Sequence, residues 1–429
     1  MRNKISNLYP ANSLQQGFIY HSLTQTENDI NILQQRYDYY QPLDVDKYVT
    51  AWQMCVAQYP ILRTAFNWEE DVIQVIYQEG NLSYNFYDIS ELSAPDEKER
   101  SIDAIGLHDR EKKFDLTKPT LFRLHVIKQA ADCYTVIKTI HHIVTDGWSA
   151  PRLLNSVHEY YHELISNRMP VIKEDVAYLE AQEYISKAKK DTFDYWNKKL
   201  FDVDTSNDIN PLLSRPMDLT TSHKVGQETA ITMLEIEGKT YDALKMFSLS
   251  KGITLNVIVQ FIWHKLLQVY SNSRYSVVGT TVSGRDLPIA DIEHSVGLYI
   301  NTLPLVIDWD NKNTIEYQLY RIQDQAVEMN TNSFADLAKL QKGGERLFHS
   351  LFVFESYPIP KESDYVLKFV AKNVSEKINY PLGVLAYEHN NVLSIYLHYD
   401  GYYLNEEKAR AHMGMLDLLL KEVLAHPEK

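Results

Sequence analysis

Two cysteines, Cys55 and Cys133, are all that the 429 residues carry, too few for a disulfide framework or a cysteine-based zinc site. That usage fits a reducing cytoplasm. The opening stretch from Met1 to Leu8 lacks the apolar run of a signal peptide, and the most apolar later segment, 255–270, is interrupted by His264 and Lys265, so no membrane span is expected. No Lys/Arg cluster is dense enough to hold a phosphate backbone, and 43 basic against 57 acidic side chains give a formal charge of −14, which argues against nucleic acid as a partner. Motifs of several chemistries are also missing: there is no Gly-x-x-x-x-Gly-Lys-Ser/Thr phosphate loop, no His-Glu-x-x-His zinc pattern and no Gly-x-Ser-x-Gly nucleophile elbow. Gly343-Gly344 stands without the serine of a carrier-protein attachment site.

What is present reads as an ordinary globular protein, 45% hydrophobic and 23% charged, with a core ample for its length. Thirty tyrosines are accounted for by semi-buried packing. At about 100–200 residues per domain the chain should form two, placed at 1–175 and 176–429. Val49, Trp52, Val56 and Tyr59 repeat at helical spacing and predict a helix beginning near a cap at Asp44 and ending at Pro60. Residues 121–126 and 133–142 alternate and are rich in β-branched and aromatic side chains, which predicts two strands. Ser149 can cap a helix with Pro151 in its first turn, continued by Leu153, Val157, Tyr160, Tyr161 and Leu164. Polar sequence over 166–190 and again over 204–223 predicts a crossing between the domains. Further strands are expected at 228–236, 275–282, 303–308, 351–355, 382–387 and 392–399, with helices at 255–270 and 405–424. Mixed elements in both halves predict two α/β or α+β lobes.

One stretch concentrates chemistry. Ile140-His-His-Ile-Val-Thr-Asp-Gly-Trp-Ser149 places His141, His142, Asp146 and Gly147 between a strand-like and a helix-like segment. Histidine is easily poised between charge states near neutral pH, so one of the pair can serve as a general acid or base. Neighbours on a strand point to opposite faces, which predicts that one histidine acts and the other braces. Asp146 needs a partner if buried, either an imidazole or an arginine, and Arg63 and Arg285 are the candidates. Gly147 permits a positive φ or a close backbone approach, with room for substrate or for an amide aimed at an oxyanion. Adjacent strand histidines diverge, so no metal site is expected. From the residues alone, a packed His pair beside an ordinary Asp-Gly turn is as open a reading as a catalytic site.

Several separated stretches together are similar to the condensation domains of nonribosomal peptide synthetases. Besides the His-His-x-x-x-Asp-Gly signature, Ser13-Leu-Gln-Gln-Gly-Phe-Ile-Tyr-His21 resembles the family's first motif and Tyr59-Pro-Ile-Leu-Arg-Thr-Ala-Phe66 its second. Asp194-Tyr-Trp196 sits where the family has an aromatic segment, Val282-Ser-Gly-Arg-Asp286 resembles its floor-loop stretch, and Val296-Gly-Leu-Tyr-Ile-Asn-Thr-Leu-Pro304 its fifth motif. The resemblance covers nearly the whole chain, in order. It implies two chloramphenicol-acetyltransferase-like lobes in a V with a central tunnel, the signature in the N-terminal lobe, and floor-loop and latch elements in the C-terminal one. It implies amide-bond formation between a donor acyl or peptidyl thioester and an acceptor amine. Both would be delivered on the phosphopantetheine arms of upstream and downstream peptidyl carrier proteins, with no cofactor bound by the chain itself, which is expected to be monomeric beside an adjoining adenylation domain. His142 takes the catalytic role in that reading and Asp146 a structural one, paired with arginine; Trp148, Ser149, Ser283, Asn301 and Thr302 are candidates to line the tunnel.

The forms of the first two motifs, Thr254-Leu-Asn256, and Leu351-Phe-Val-Phe-Glu355 with Tyr357-Pro358 look closer to domains that join a donor ending in a D-residue to an L-acceptor. Ile140 stands where the family commonly has Met, and Ser149-Ala-Pro departs from the epimerase form. Two alternatives of other classes accompany this reading: a silent module that docks carriers or recruits another enzyme, and an acyltransferase that uses coenzyme A directly.

Overall fold

The structure, a computed structural model, describes residues 4–24, 29, 31–200, 206–220, 229–310, 312–341, 346–355, 367–372 and 380–429. Gly343-Gly344 and Tyr357-Pro358 lie outside the described residues. In chain order the elements are β1 (Ile5–Pro10), α1 (Ser13–Thr24), β2 (Ile32–Tyr39), α2 (Val45–Gln58), β3 (Thr64–Asn67), β4 (Ile73–Tyr77), β5 (Ser83–Asp88), α3 (Pro95–Arg110), β6 (Phe122–Ala130), β7 (Cys133–His141), α4 (Ser149–Ile165) and α5 (Val176–Lys199). They continue as β8 (Thr229–Ile236), α6 (Gly238–Lys251), α7 (Leu255–Ser271), β9 (Tyr275–Val282), β10 (Asn301–Asp308), α8 (Ile315–Thr331), α9 (Leu337–Leu340), β11 (Ser350–Glu355), β12 (Phe369–Lys372), β13 (Leu382–His389), β14 (Val392–Asp400) and α10 (Glu406–Ala425).

Two compact units share the chain. The first comprises Met1–Ala188 together with Leu287–Tyr299 and Tyr357–Glu376; the second comprises Lys189–Asp286, Ile300–Ser356 and Lys377–Lys429. The first break therefore falls inside α5 rather than at 175, and neither unit is continuous in sequence. Polar sequence over 166–190 reads as a crossing, but its second half is helical, because Ala177, Tyr178, Ala181 and Gln182 recur at i, i+1, i+4 and i+5 and bury one narrow face.

The first unit holds a five-stranded sheet in the order β12-β2-β7-β6-β5 and a three-stranded sheet β1-β4-β3. β7 is central and antiparallel to both neighbours, with His141 opposite Ile32 and Ile140 opposite Phe122. All but the first of its residues are buried. On one face Ile137 packs with Ile102 of α3 and Ile127 of β6. α2 begins at the Asp44 cap, whose carboxylate accepts from Lys47 N, and stops at Gln58 because Pro60 two residues on cannot continue it.

The second unit is built on a six-stranded sheet, β10-β9-β11-β13-β14-β8. α7, apolar nearly all round, lies in its core with Ile258, Ile262 and Leu266 fully buried. No single described helix is long and apolar enough to cross a membrane; α6 and α7 pass that test only as a pair bent by 106°.

Candidate active site

Extended backbone ends between the two histidines. His141 is the last residue of β7, and His142–Val144 form one turn of 3₁₀ helix. The pair thus diverges, as alternation on a strand requires, and a change of backbone separates their surroundings further.

His141 is wholly buried. Its Nδ1 accepts from the Ile143 amide at 3.0 Å, so the proton sits on Nε2. That N–H faces Asp29 Oδ2 at 3.3 Å and Ser22 Oγ at 3.4 Å. Burial lowers the pKa of His141, opposed by the Asp29 carboxylate. For Asp29 burial works upward, but its hydrogen bond to His141, aided by those from Ser22 and Asn31, holds the carboxyl well below the usual carboxylate range.

His142 is half-buried. Its Nδ1 lies 2.8 Å from the Thr145 carbonyl oxygen, which can only accept, so Nδ1 carries the proton and Nε2 presents a lone pair. Phe18 of the first motif covers the ring, with centroids 5.1 Å apart. The His142 amide donates to Asn31 O at 2.8 Å. The turn therefore commits Nδ1–H to the backbone and leaves Nε2 as the ring nitrogen free of the turn.

Asp146 is 2% exposed. Its Oδ1 accepts from Ser149 N at 2.9 Å and from Ser149 Oγ at 2.8 Å, and its Oδ2 accepts from Tyr299 N at 3.0 Å. These bonds offset the desolvation of the carboxylate. They also correct one expectation: Ser149 is the first residue of α4 rather than its cap, which falls on Trp148, and the Asp146 carboxylate holds the Ser149 amide from outside the helix. The Ser149 hydroxyl lies 2.8 Å from Gly297 O and accepts from Gly297 N at 2.9 Å.

Arg63 does not brace Asp146. It pairs with Glu174, and its remaining donors reach Tyr77 O at 2.8 Å, Ala57 O at 2.8 Å and Val56 O at 3.3 Å. Val56 and Ala57 end α2, so the guanidinium satisfies carbonyls that have no partner within the helix. Arg285 lies in the second unit, buried, in the turn that follows β9, where Gly284 has φ +64°. Ser283 in that turn accepts from Arg285 N at 3.2 Å. Of the two uses that Gly147 permits, a positive φ is not taken; the described glycines with positive φ are Gly238, Gly252 and Gly284. Asn301 is buried at the start of β10, its amide donating to Ser333 O at 2.7 Å and Ala335 O at 2.8 Å. Asn301 and Ser149 are therefore engaged in holding backbone rather than lining open space, whereas Trp148, Ser283 and Thr302 are half-buried.

Sequence reasoning passed over the residues that clamp 295–299 to the first unit. Asp175 Oδ2 accepts from Ser295 Oγ at 2.6 Å and Val296 N at 3.0 Å, and Asn12 Nδ2 donates to Leu298 O at 3.0 Å. Gly297 is needed there, since a Cβ would stand 2.7 Å from the Tyr178 ring. Asp29 was passed over as well, although Asp29-Ile-Asn31 ahead of a strand has the composition of an Asx turn. Among the described residues no group of three His, Cys, Asp or Glu side chains is arranged to hold a metal ion.

The whole sequence from residue 5 to 429 matches the Condensation domain family. This chain belongs to that family. Its relatives include N-(5-amino-5-carboxypentanoyl)-L-cysteinyl-D-valine synthase of Penicillium rubens, 34% identical over 397 residues, which are 89% of this chain and 11% of the relative. The synthase of the same name from Amycolatopsis lactamdurans is 32% identical over 428 residues, 96% of this chain and 12% of the relative. A condensation domain here thus spans 11–12% of the length of these relatives. Among solved structures, the X-domain from teicoplanin biosynthesis superposes with a TM-score of 0.79 at 18% identity, covering 98% of this chain and 96% of that one. A holo four-domain nonribosomal peptide synthetase bound to AMP and glycine gives 0.77 at 19% identity, covering 100% of this chain and 34% of that one. These likenesses establish the mixed α/β fold as that of condensation domains.

Proposed function

We propose that this condensation domain joins a donor acyl or peptidyl thioester to an acceptor amine, each held on the phosphopantetheine arm of a carrier protein. The observation that carries the reading is the His142 ring, whose Nδ1–H is spent on Thr145 O at 2.8 Å and whose Nε2 is left as a hydrogen-bond acceptor for an incoming amine. The amine nitrogen attacks the thioester carbonyl while Nε2 orients it and takes its proton. The C–N bond forms, the C–S bond breaks, and the proton leaves with the departing thiolate. Gly147 is proposed to leave room beside the reacting carbonyl, with Trp148 next to it as a lining residue. Arg63 is engaged by Glu174, and Asp146 is proposed to serve structurally, by holding the amides of Ser149 and Tyr299.

The donor is proposed to end in a D-residue, on the strength of the first and second motifs. Carrier proteins loaded with donor and acceptor, with an adenylation enzyme supplying the aminoacyl groups, should give a peptide, faster from the D- than from the L-epimer of the donor. Equal or reversed epimer preference overturns the subtype. Carrier binding with no acyl transfer from any pair overturns the activity in favour of a docking module, and faster turnover of free acyl-coenzyme A favours a coenzyme A-dependent acyltransferase.

A further inference from the structure

Asp29 stands against His141 without belonging to the His-His motif. Its side chain is 5% exposed. One oxygen, Oδ2, accepts from Ser22 Oγ at 2.7 Å and faces His141 Nε2 at 3.3 Å. The other, Oδ1, accepts from Asn31 N at 3.0 Å and from Asn31 Nδ2 at 3.1 Å. Each contact leads to the 3₁₀ turn of His142 by a different route. Through His141, the carboxylate fixes the ring whose Nδ1 holds the Ile143 amide at 3.0 Å. Through Asn31, it fixes the carbonyl that holds the His142 amide at 2.8 Å. Two consecutive amides of the turn are thus tied to one carboxylate.

We infer that Asp29 is a positioning residue for His142, clamping the turn from both sides through His141 and Asn31 so that the Nδ1–H stays on Thr145 O and Nε2 stays outward. The chemistry selects a carboxylate. With Nδ1 of His141 committed as an acceptor, only an acceptor can meet its Nε2–H, and the same side chain must also accept from Asn31. An amide at this position offers one acceptor oxygen for both tasks, and alanine offers none. The role assumes the amide-forming reading of His142, but the geometry can be read independently of turnover.

The test uses Asp29→Ala and Asp29→Asn in the whole chain, alone and with His142→Ala. In ¹⁵N-histidine spectra the wild type is expected to show His142 as a single Nδ1–H tautomer, Asp29→Ala a mixture, and Asp29→Asn an intermediate state. With loaded carriers, kcat should fall about 10- to 100-fold in Asp29→Ala at unchanged KM, less in Asp29→Asn, and the loss should vanish in the His142→Ala background. If Asp29→Ala does not fold, Asp29→Asn carries the test. Wild-type His142 resonances and wild-type kcat in the folded variants overturn the inference, as does an equal loss in the His142→Ala background, which marks a general structural role. A tautomer shift in a chain that never forms peptide keeps the positioning role and overturns the activity instead.

Discussion

The Nδ1–H of His142 donates to the carbonyl of Thr145, three residues on, at 2.8 Å. A 3₁₀ turn brings that carbonyl under the ring, so backbone shape sets which nitrogen is basic. Replacing His142 by Ala should lower kcat/KM for peptide formation by roughly 10²–10⁴-fold and leave the thermal unfolding midpoint within a few degrees, because the ring is half-buried and makes one side-chain hydrogen bond. Matching rates for wild type and variant would remove His142 from the chemistry.

Arg63 and Asp146 each support backbone, but not each other. Asp146→Ala removes the acceptor of the buried Tyr299 amide and of the Ser149 hydroxyl and is expected to cost about 2–4 kcal/mol of stability. Arg63→Ala strands Ala57 O and Tyr77 O at similar cost. In a double-mutant cycle by urea unfolding the two losses should add to within about 0.5 kcal/mol. A larger coupling would mean that the two share a network.

Lys138, 1% exposed in the middle of β7, is another ionisable side chain in the core of the first unit. Its Nζ lies 5.9 Å from the Tyr37 ring and 6.0 Å from that of Trp52, at the outer limit of cation–π attraction. Burial lowers its pKa from 10.5 to about 7. Between those values the unfolded chain binds more protons than the folded one, so the free energy of unfolding rises with pH. It should rise by several kcal/mol, on the order of 3–5, between about pH 7 and 10, before buried tyrosines such as Tyr48, pushed to about 12, turn the curve. Lys138→Met should flatten that rise, measured as urea midpoints at pH 7 and 9.5. A slope unchanged by the substitution counts against a neutral buried amine.

Gly297→Ala places a methyl 2.7 Å from the Tyr178 ring carbons, and Tyr178 is fully buried with its hydroxyl on Gln74. A loss of about 1–3 kcal/mol is expected from such overpacking, together with faster hydrogen exchange at the Gly297 and Tyr299 amides. Protection equal to wild type would show that the clamp absorbs the methyl.

Much of this was legible in the sequence where burial imposes a period. β7, β9, β10, β14, α7 and α10 lie within a few residues of the expected spans, because each has one or both faces in a core. What escaped depends on partners far along the chain. β12 has only four residues with two of them exposed, and backbone pairing to β2 defines it. Asp29 is one polar residue among several in a turn, and only the fold brings it to His141. Of the site, residue type and spacing gave a divergent His pair and an aspartate that needs partners if buried, while the choice of His142 came with the family resemblance. Arg63 was misassigned because a buried arginine needs an acceptor but does not say which, and the ends of α2 and Glu174 are nearer claimants.

Residues 295–299 close the first unit although they follow nearly half of the second in sequence. Asp146 and Asp175 each draw one of their backbone donors from there, Tyr299 N and Val296 N. A single cut inside α5 therefore separates the Asp146 and Asp175 carboxylates from amides that help to balance them. In the terms of a protein engineer, chimeras of condensation domains joined at one crossover near 188 inherit that mismatch, whereas exchanges that move 1–188 and 287–299 as a set keep each carboxylate with its own amides.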